Sequence, residues 1–286
     1  MNWIGWTALG IGCLVAAAAG LAAFGSSRWA SATQAQMALL EAGRVPAPAG
    51  RYDAREIDGL PAPVQRYFRA VLKNGQPLIA AATFELAGTI NMSATGENWK
   101  PFTSWQRAVV RRPGFLWNGR VTMFPGLAAH VHDSYISGVG TLHAVLSGLF
   151  TVAGVKGGGE IARGELMRYF AEMAWYPTAL LPSQGVRWAA VDDGSANATL
   201  VDGPINLTLL FRFDEAGLIA SVHADARGSG VGKDMVMLPW DCSVSKYGLR
   251  DGMMVPTVGE AAWLRPQGRR SYFVGRLTSL AYEFAP

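Results

Sequence analysis

The sequence predicts an α+β fold that is mostly antiparallel β: a large curved or half-barrel sheet with a few covering helices, behind one N-terminal transmembrane helix. Three observations predict it. The chain opens with a long run that carries no charge, about a dozen short segments rich in β-branched or aromatic residues follow, and one helical segment interrupts them. A sheet of about a dozen strands must curl or pack against helices to cover its apolar face.

The composition is that of an apolar, folded chain. Of 286 residues, 50% are hydrophobic and only 16% are charged, against about 25% in ordinary soluble domains. This excludes a disordered chain, which is rich in charge and poor in apolar residues. The net charge of +4 comes from scattered Lys and Arg, so we expect no nucleic-acid partner. Two cysteines, Cys13 and Cys242, exclude a disulfide scaffold and a four-cysteine zinc site.

The first predicted element is the transmembrane helix. Residues 3–24 carry no charge, and about 20 apolar residues suffice to cross a bilayer. Trp3 and Trp6 at one end, and Arg28 with Trp29 at the other, are typical of interfacial anchors. The alternative, a cleaved signal peptide, has a basic start and an apolar run of about 7–15 residues. We therefore predict a single-pass, uncleaved anchor, and the side of the membrane that the rest of the chain faces stays open.

The chain divides into three parts. The anchor covers residues 1–28, and a juxtamembrane helix and Pro/Ala linker cover residues 29–57. Within the second part, residues 31–43 extend the anchor helix, and residues 45–50 form the linker because Pro and Gly break regular structure. Residues 58–286 form the β-rich globular domain.

The β-rich domain begins with a short helix at about Pro61–Leu72, whose early prolines suit a first helical turn. A second helix is predicted at about Glu160–Trp175, and the glycine-rich stretch before it, Gly154–Gly159, is predicted to be a flexible connection. The predicted strands are Thr83–Asn91, Phe102–Arg111, Phe115–Met123, His130–Ser137, Gly140–Leu146, Val186–Val191, Ala196–Val201, Asn206–Phe213, Ile219–Ala226, Trp240–Tyr247, Met254–Trp263 and Tyr272–Phe284.

The second helix carries the most distinctive candidate site. Glu165, Arg168 and Glu172 follow at i, i+3 and i+7, so they share one helix face. This pattern fits a polar cluster that lines a cavity, and the alternative is a salt-bridged helix surface. Aromatic side chains of the strands fill cores and also line apolar cavities. The candidate ligand-binding residues are Trp99, Trp105, Glu165, Arg168, Tyr169, Glu172, Trp175 and Trp240.

Two histidines are the candidate metal ligands in the sequence. His130 and His132 lie on the same side of a predicted strand, and period-two geometry lets both imidazoles reach one metal ion. No third ligand lies close by in the sequence, so ordinary strand histidines are the alternative. We expect no cofactor, because the glycine patterns of phosphate and dinucleotide binding are absent from the sequence in a strand-to-helix setting.

Four segments carry a family resemblance: residues 60–68 (LPAPVQRYF), 164–169 (GELMRY), 175–182 (WYPTALLP) and Pro239-Trp240. The chain resembles, over roughly residues 58–284, a family of bacterial membrane-associated proteins that share a domain of unknown function. The resemblance implies membrane association and the extent of the domain, and it transfers no catalytic residue. At the level of the fold, the predicted sheet is similar to lipoprotein-carrier-like domains, which hold acyl chains between a half-barrel sheet and covering helices.

Three functions follow as hypotheses. The first is a membrane-anchored protein that binds a lipid or other apolar ligand in a cavity of the curved sheet. The second is a hydrolase-type enzyme that uses Glu165 and Glu172, or His130 and His132. The third is a structural partner in an envelope complex. An anchor, a domain with few charges and aromatic-rich strands favour the first hypothesis, with the membrane and an apolar molecule as partners.

Overall fold

A single antiparallel sheet organises the chain in the computed structural model, which describes residues 3–46, 50–93, 95–230 and 235–286. The helices of the described chain are α1 (Trp3–Ala42), α2 (Ala62–Val71) and α3 (Gly159–Glu172), with short 3-10 turns at Ala54–Ile57, Met173–Trp175, Pro177–Leu180 and Pro182–Gln184. The strands are β1 (Ile79–Asn91), β2 (Trp99–Val109), β3 (Gly114–Phe124), β4 (Leu127–Ile136), β5 (Val139–Leu146), β6 (Phe150–Gly157), β7 (Arg187–Asp192), β8 (Ser195–Asp202), β9 (Ile205–Phe213), β10 (Ile219–Ser229), β11 (Val236–Arg250), β12 (Met253–Arg265) and β13 (Gly268–Phe284).

The sheet consists of two meanders joined at their first and last strands. Its order is β6-β5-β4-β3-β2-β1-β13-β12-β11-β10-β9-β8-β7. Neighbours in the chain pair through short connections in each meander, as antiparallel strands do. The pairing of β1 with β13 joins Ile79 to Phe284 and Ile90 to Phe273. The chain between β6 and β7 contains α3, so this helix links the two edges of the sheet.

The predicted fold class is confirmed, and every predicted strand is present within a few residues of its expected ends. One prediction was wrong. Gly154–Gly157 belongs to the edge strand β6, which pairs with β5, and is not a flexible connection. Glycine weakens a strand but does not prevent pairing when a neighbouring strand supplies the hydrogen bonds.

The sheet curls around α3, which lies against its concave, or inner, face. This helix contacts β4 and β5 of one meander and also β9 and β10 of the other. The two meanders meet directly as well, because the Tyr135 hydroxyl on β4 donates a 2.5 Å hydrogen bond to Asp202 Oδ2 on β8. The sheet is therefore a half-barrel, and α3 fills part of its interior.

The short helix α2 closes one end of this interior through its apolar stripe. Val64, Tyr67, Phe68 and Val71 follow helical spacing and are all buried. The ring of Phe68 meets the edge of Trp188 at 6.3 Å. Burying each such side chain contributes about 1.5–3 kcal/mol, so α2 fixes the edge strand β7 and its neighbour β8 to the core.

The long helix α1 has two parts with different surroundings. Its side chains described between residues 3 and 24 are exposed, whereas Trp29, Thr33 and Leu40 are buried against the convex, or outer, face of β3 and β4. In the described chain, α1 is the one helix long and apolar enough to cross a membrane. The helix continues without a break from the apolar part to the docked part.

Candidate functional site

The inner face of α3 carries a buried charged cluster that is centred on Arg168. Its Nη1 donates to Asp133 Oδ2 on β4 at 2.9 Å, and its Nε donates to Glu172 Oε1 at 2.8 Å. Its Nη2 donates to Gln106 Oε1 on β2 at 3.2 Å, while Gln106 Nε2 donates to Glu172 Oε2 at 2.5 Å. A buried charge is tolerated only when it is paired and hydrogen-bonded, and Arg168 meets both conditions.

Two aromatic rings cover the guanidinium of Arg168. Its Cζ lies 5.1 Å from the ring centre of Phe115 and 5.1 Å from that of Trp117, both on β3. A cation over an aromatic face is attracted by the ring quadrupole. Burial acts to lower the pKa of Arg168, but the negative charges of Glu172 and Asp133 raise it. Arg168 is therefore a permanent positive charge inside the half-barrel.

The carboxyl groups near Arg168 do not all ionise alike. Burial raises the pKa of Glu165 to about 8, and the negative charge of Asp133 adds to this shift. Burial also raises the pKa of Asp133, although Arg168 opposes the shift. Glu165 is only 5% exposed. In the described part of the chain, Glu165 Oε2 and Asp133 Oδ1 are buried without a hydrogen-bond partner. The cluster therefore holds a protonated acid at pH 7 and unused acceptor atoms, which is unusual for a structural ion pair.

A second buried arginine connects α3 to the strands of the other meander. Arg227 Nε on β10 donates to the Gly164 carbonyl at 3.1 Å, and its Nη1 donates to the Tyr272 hydroxyl at 3.1 Å. The Tyr272 hydroxyl also accepts a 3.0 Å hydrogen bond from Trp240 Nε1. The Arg227 guanidinium lies over the rings of Trp240 and Trp263, at 4.8 and 5.6 Å.

A pocket of about 210 Å³ opens beside this second arginine, and we call it the mouth pocket. Tyr272 and Trp263 form its inner wall, so the pocket leads from solvent toward Arg227 and α3. Its other walls come from the hairpin ends of β1, β10, β12 and β13. They are Asn91–Ser93, Ser229, Arg265, Arg270 and Ser271.

The structure brings six of the eight candidate ligand-binding residues to the inner side of the sheet and places two elsewhere. Trp105 packs on the outer face against the small cluster that includes Leu40 of α1 and Val109 of β2. Trp99 shares its side of β2 with Trp105 because side chains alternate along a strand, and its Nε1 donates to Glu97. The inner six are Glu165, Arg168, Tyr169, Glu172, Trp175 and Trp240.

Tyr169 and Trp175 have structural partners in the core. The Tyr169 hydroxyl donates to the Val109 carbonyl at 2.9 Å, and Trp175 Nε1 donates to the Pro256 carbonyl at 3.0 Å. Both side chains are buried. Their hydrogen bonds tie the chain around the end of α3 to β2 and β12, and neither ring faces the mouth pocket.

Sequence reasoning missed four members of the site: Gln106, Asp133, Arg227 and Tyr272. The position of Asp133 could have been inferred from the sequence. It follows His132 directly in a strand, so the two side chains must face opposite sides of the sheet. His132 faces α1 and Asp133 faces α3. The other three gave no signal, because single polar residues in strands are ordinary in a sheet with one exposed face.

His130 and His132 form part of the contact between α1 and the sheet. Trp29 stacks on His132 with 3.8 Å between ring centres, and His143 lies 6.0 Å from the same indole. Both ring nitrogens of His132 have partners, Thr33 Oγ1 at 2.8 Å and Gln36 Nε2 at 3.1 Å. Burial lowers the pKa of His132 to about 4. No group of three or more metal-binding side chains occurs among the described residues.

Comparisons with known proteins give a family and remote structural similarities. No curated protein matches the chain. The crystal structure of a LolA superfamily protein from Nitrosomonas europaea matches with 10% identity and a TM-score of 0.34, over 78% of this chain and 93% of that chain. The structure of a β-barrel-like protein of a domain of unknown function, DUF1849, from Brucella abortus matches with 12% identity and a TM-score of 0.23, over 72% and 99%. The expected family resemblance is confirmed: residues 58–282 match the family of unknown function DUF6920, and the chain belongs to that family.

Proposed function

We propose that this protein is anchored in a membrane by α1 and binds an amphiphilic lipid inside the half-barrel. One observation carries the proposal. On the inner face, several apolar side chains are only half-buried although they pack against the core, and one of them, Trp263, also lines the mouth pocket. An uncovered apolar surface inside a concave sheet is the kind of surface that binds apolar ligands. These side chains are Ile90, Met123, Val131, Trp263 and Phe273.

The charged cluster supports the same proposal from the inner end of this surface. Arg168, Asp133 and Glu172 are already paired, so the cluster is a fixed polar wall. A ligand that enters through the mouth pocket therefore meets an apolar surface first and a polar wall last. Placed polar groups limit where a ligand lies in an apolar site, so this wall sets how far the apolar part of the lipid reaches into the interior.

The course of α1 supports an uncleaved anchor. Cleavage of a signal peptide at the end of the apolar run would cut a helix that continues to Ala42. The docked part starts directly afterwards, with Gly25 and Trp29 buried against the sheet. An anchor that is rigidly joined to its domain requires such continuity, whereas a removable leader does not.

The test is to count lipids on the full chain. We expect native mass spectrometry of the detergent-purified protein, followed by organic extraction, to show about one lipid per chain. Met123→Arg places a charge on the half-buried inner surface and should remove the lipid while thermal unfolding shows a folded protein. Leu249→Arg, at an exposed apolar position outside the interior, is the matched control and should keep it. Equal lipid content in both variants contradicts the proposal.

A second candidate function is hydrolysis, and the raised pKa of Glu165 favours it. A carboxylic acid with a pKa of about 8 can donate a proton at neutral pH, and Asp133 is close enough to shift it. In this alternative Glu165 is the general acid and Asp133 the base. Release of fatty acid from phospholipid vesicles by the wild type, and its loss in Glu165→Gln, would favour the enzyme; no release from the wild type excludes this reaction.

A further inference from the structure

We infer that the mouth pocket lies at the membrane surface and binds the phosphate group of a membrane phospholipid. This inference rests on the proposed function and names its ligand class and the direction from which the ligand enters. It follows from the position of the hairpins relative to α1, from the side chains exposed on them and from the chemistry of the pocket.

The junction of α1 with the sheet sets the level of the membrane. Residues 3–24 span about 33 Å at about 1.5 Å per residue, which matches the ~30 Å hydrocarbon core. The next residue, Gly25, touches the β5–β6 hairpin: a Cβ there would lie 2.3 Å from the Ser147 carbonyl oxygen. At the other end of the docked part, Leu40 packs on Gly114, where β3 begins. The β5–β6 hairpin is therefore the end of the sheet next to the membrane.

The mouth pocket opens at this same end. In an antiparallel meander, alternate connections lie at the same end of the sheet, so the β1–β2 and β3–β4 connections lie beside the β5–β6 hairpin. The register of β1 with β13, Ile90 to Phe273, places the β12–β13 connection there too. The pocket is lined by the ends of these strands. Its opening therefore faces the side from which the apolar part of α1 projects.

Apolar side chains project from these hairpins. Phe124 at the end of β3 is 62% exposed, and Phe150 and Val152 at the start of β6 are 67% and 61% exposed. Exposed aromatic and aliphatic side chains insert into the bilayer interface when an attached transmembrane helix holds them at the level of the head groups. Met92, Val236 and Met237 are further exposed apolar residues at this end.

The charges at the hairpin end match an anionic membrane surface. Lys100, Arg265 and Arg270 lie on it, and Arg28 follows the apolar run of α1. Among the described residues of the β1–β2 and β12–β13 connections, the one acidic side chain is Glu97, which accepts from Trp99. Basic clusters next to a transmembrane helix are attracted to anionic head groups.

The pocket has the chemistry of a phosphate site. In the described part of the chain, the Nε atoms of Arg265 and Arg270 are buried without a hydrogen-bond partner. Arg270 Nη2 donates to the Gly96 carbonyl at 2.5 Å, so this guanidinium is held at the pocket by a neutral acceptor and not by a carboxylate. Arg269 is different, because it pairs with Glu260 at 2.5 Å. Guanidinium groups donate paired hydrogen bonds to phosphate oxygens, and the Ser93 and Ser229 hydroxyls line the same pocket.

The volume of the mouth pocket limits which part of a lipid it can hold. About 210 Å³ lies below the ~300–1,000 Å³ of sites for whole small ligands, so it accommodates a head group and not two acyl chains. Trp263 and Tyr272 form the wall between the two arginines and the interior. A phosphate held by Arg265 and Arg270 therefore places the glycerol beside these rings and directs a chain toward the half-buried inner surface.

The first experiment tests the orientation of the full chain in proteoliposomes. Nitroxide labels at Phe124→Cys and Phe150→Cys, in a Cys13→Ser background in which Cys242 is buried, should be more accessible to oxygen than to an aqueous nickel chelate. A label at Leu249→Cys, at the far end of β11, should show the opposite preference. Aqueous accessibility at positions 124 and 150 overturns the inference and leaves lipid binding in the half-barrel intact.

The second experiment tests the phosphate. Dioleoylphosphatidylglycerol is added to the full chain in a neutral detergent, and bound lipid is counted by native mass spectrometry. We expect Arg265→Gln/Arg270→Gln to weaken its binding at least tenfold, and Arg276→Gln, an exposed arginine on the outer face, to leave it unchanged. Diacylglycerol, which lacks the phosphate, should bind all three proteins equally.

The outcomes separate the two proposals. Unchanged binding of phosphatidylglycerol in the double variant overturns the phosphate pocket, while the bound lipid still supports the proposed function. Binding of neither lipid to the wild type overturns both. Inorganic phosphate should compete weakly with the lipid; if it binds the wild type while phosphatidylglycerol does not, the site is one for free phosphate and the inference fails.

Discussion

At the residue scale, the protonation of the buried carboxyl groups depends on which of them Arg168 pairs with. Arg168 uses all three of its guanidinium nitrogens on Asp133, Glu172 and Gln106. Glu165 lies on the same helix face, but no arginine donates to it in the described chain. An unpaired buried carboxyl group is most stable when neutral, because ionisation in a low-dielectric site has a higher free energy than keeping the proton.

This difference predicts how the free energy of unfolding depends on pH. The pKa of Glu165 rises from 4.5 to about 8 on folding, so the folded state binds this proton more tightly than the unfolded state. The stabilising contribution of the proton is full below pH 4.5 and is lost as the pH rises toward 8. Glu165→Gln should flatten the fall in stability across this window, measured by urea unfolding at several pH values. Glu85→Gln, at an exposed position, is the control; equal slopes in wild type and Glu165→Gln would contradict the assignment.

The sequence predicted three of the five members of this cluster. The spacing of Glu165, Arg168 and Glu172 on one helix face is local, so it is visible in the sequence. The partners Asp133 and Gln106 lie 35 and 62 residues away from Arg168, and only the curl of the sheet brings them together. For the same reason, the sequence alone left open whether these charges line a cavity or a helix surface, and in the structure they lie in the interior.

At the element scale, one face of α1 packs on the outer face of the sheet along a regular row of buried residues, which we call the seam. The buried residues of this row follow helical spacing, one or two turns apart. They are Gly25, Trp29, Thr33 and Leu40. The sequence predicted both an anchor and a helical extension after it, because the first segment is long, apolar and uncharged and no proline occurs before Pro46. It did not predict docking, because Trp29 alone also fits an interfacial anchor.

Gly25 tests the seam, and Gly20 is its matched control. A Cβ at position 25 would lie 2.3 Å from the Ser147 carbonyl oxygen, whereas at position 20 nothing lies within 4 Å. Gly25→Ala should push α1 off the β5–β6 hairpin and destabilise the protein by about 1–3 kcal/mol, as overpacking does. Gly20→Ala should leave stability unchanged or slightly higher, because alanine is the better helix former. Thermal unfolding of both variants in detergent measures this, and equal midpoints would show that α1 is not docked.

At the scale of the whole molecule, the decisive contact is the pairing of β1 with β13. It joins Ile79 to Phe284, residues from the two ends of the β-rich part, and no local pattern in the sequence marks it. Alternation and turn residues predict strands and their ends. They do not predict which strands close a sheet, because closure depends on the twist accumulated over the whole sheet. The half-barrel could therefore be predicted as a class, but its strand order could not.

Two truncations test how the anchor and the half-barrel depend on each other. A chain that begins at Gly25 loses the apolar part of α1 and keeps the buried Trp29 and Leu40. It should fold and no longer float with liposomes. A chain that begins at Gly43 also uncovers the outer-face residues Val109 and Leu116 that Leu40 contacts. Each lost large apolar contact costs about 1.5–3 kcal/mol, and a domain of this size loses about 2–4 °C per kcal/mol.

We therefore expect the chain from Gly43 to unfold roughly 10 °C below the chain from Gly25, and to aggregate because a continuous apolar patch becomes exposed. Circular dichroism melting and size-exclusion chromatography of the two proteins measure both effects. Equal melting temperatures would mean that α1 is a tether whose docking adds nothing to the fold. A lower melting temperature for the shorter chain would mean that the proposed membrane anchor is also a structural wall of the half-barrel, so that the orientation of the mouth pocket relative to α1 is fixed by folding itself.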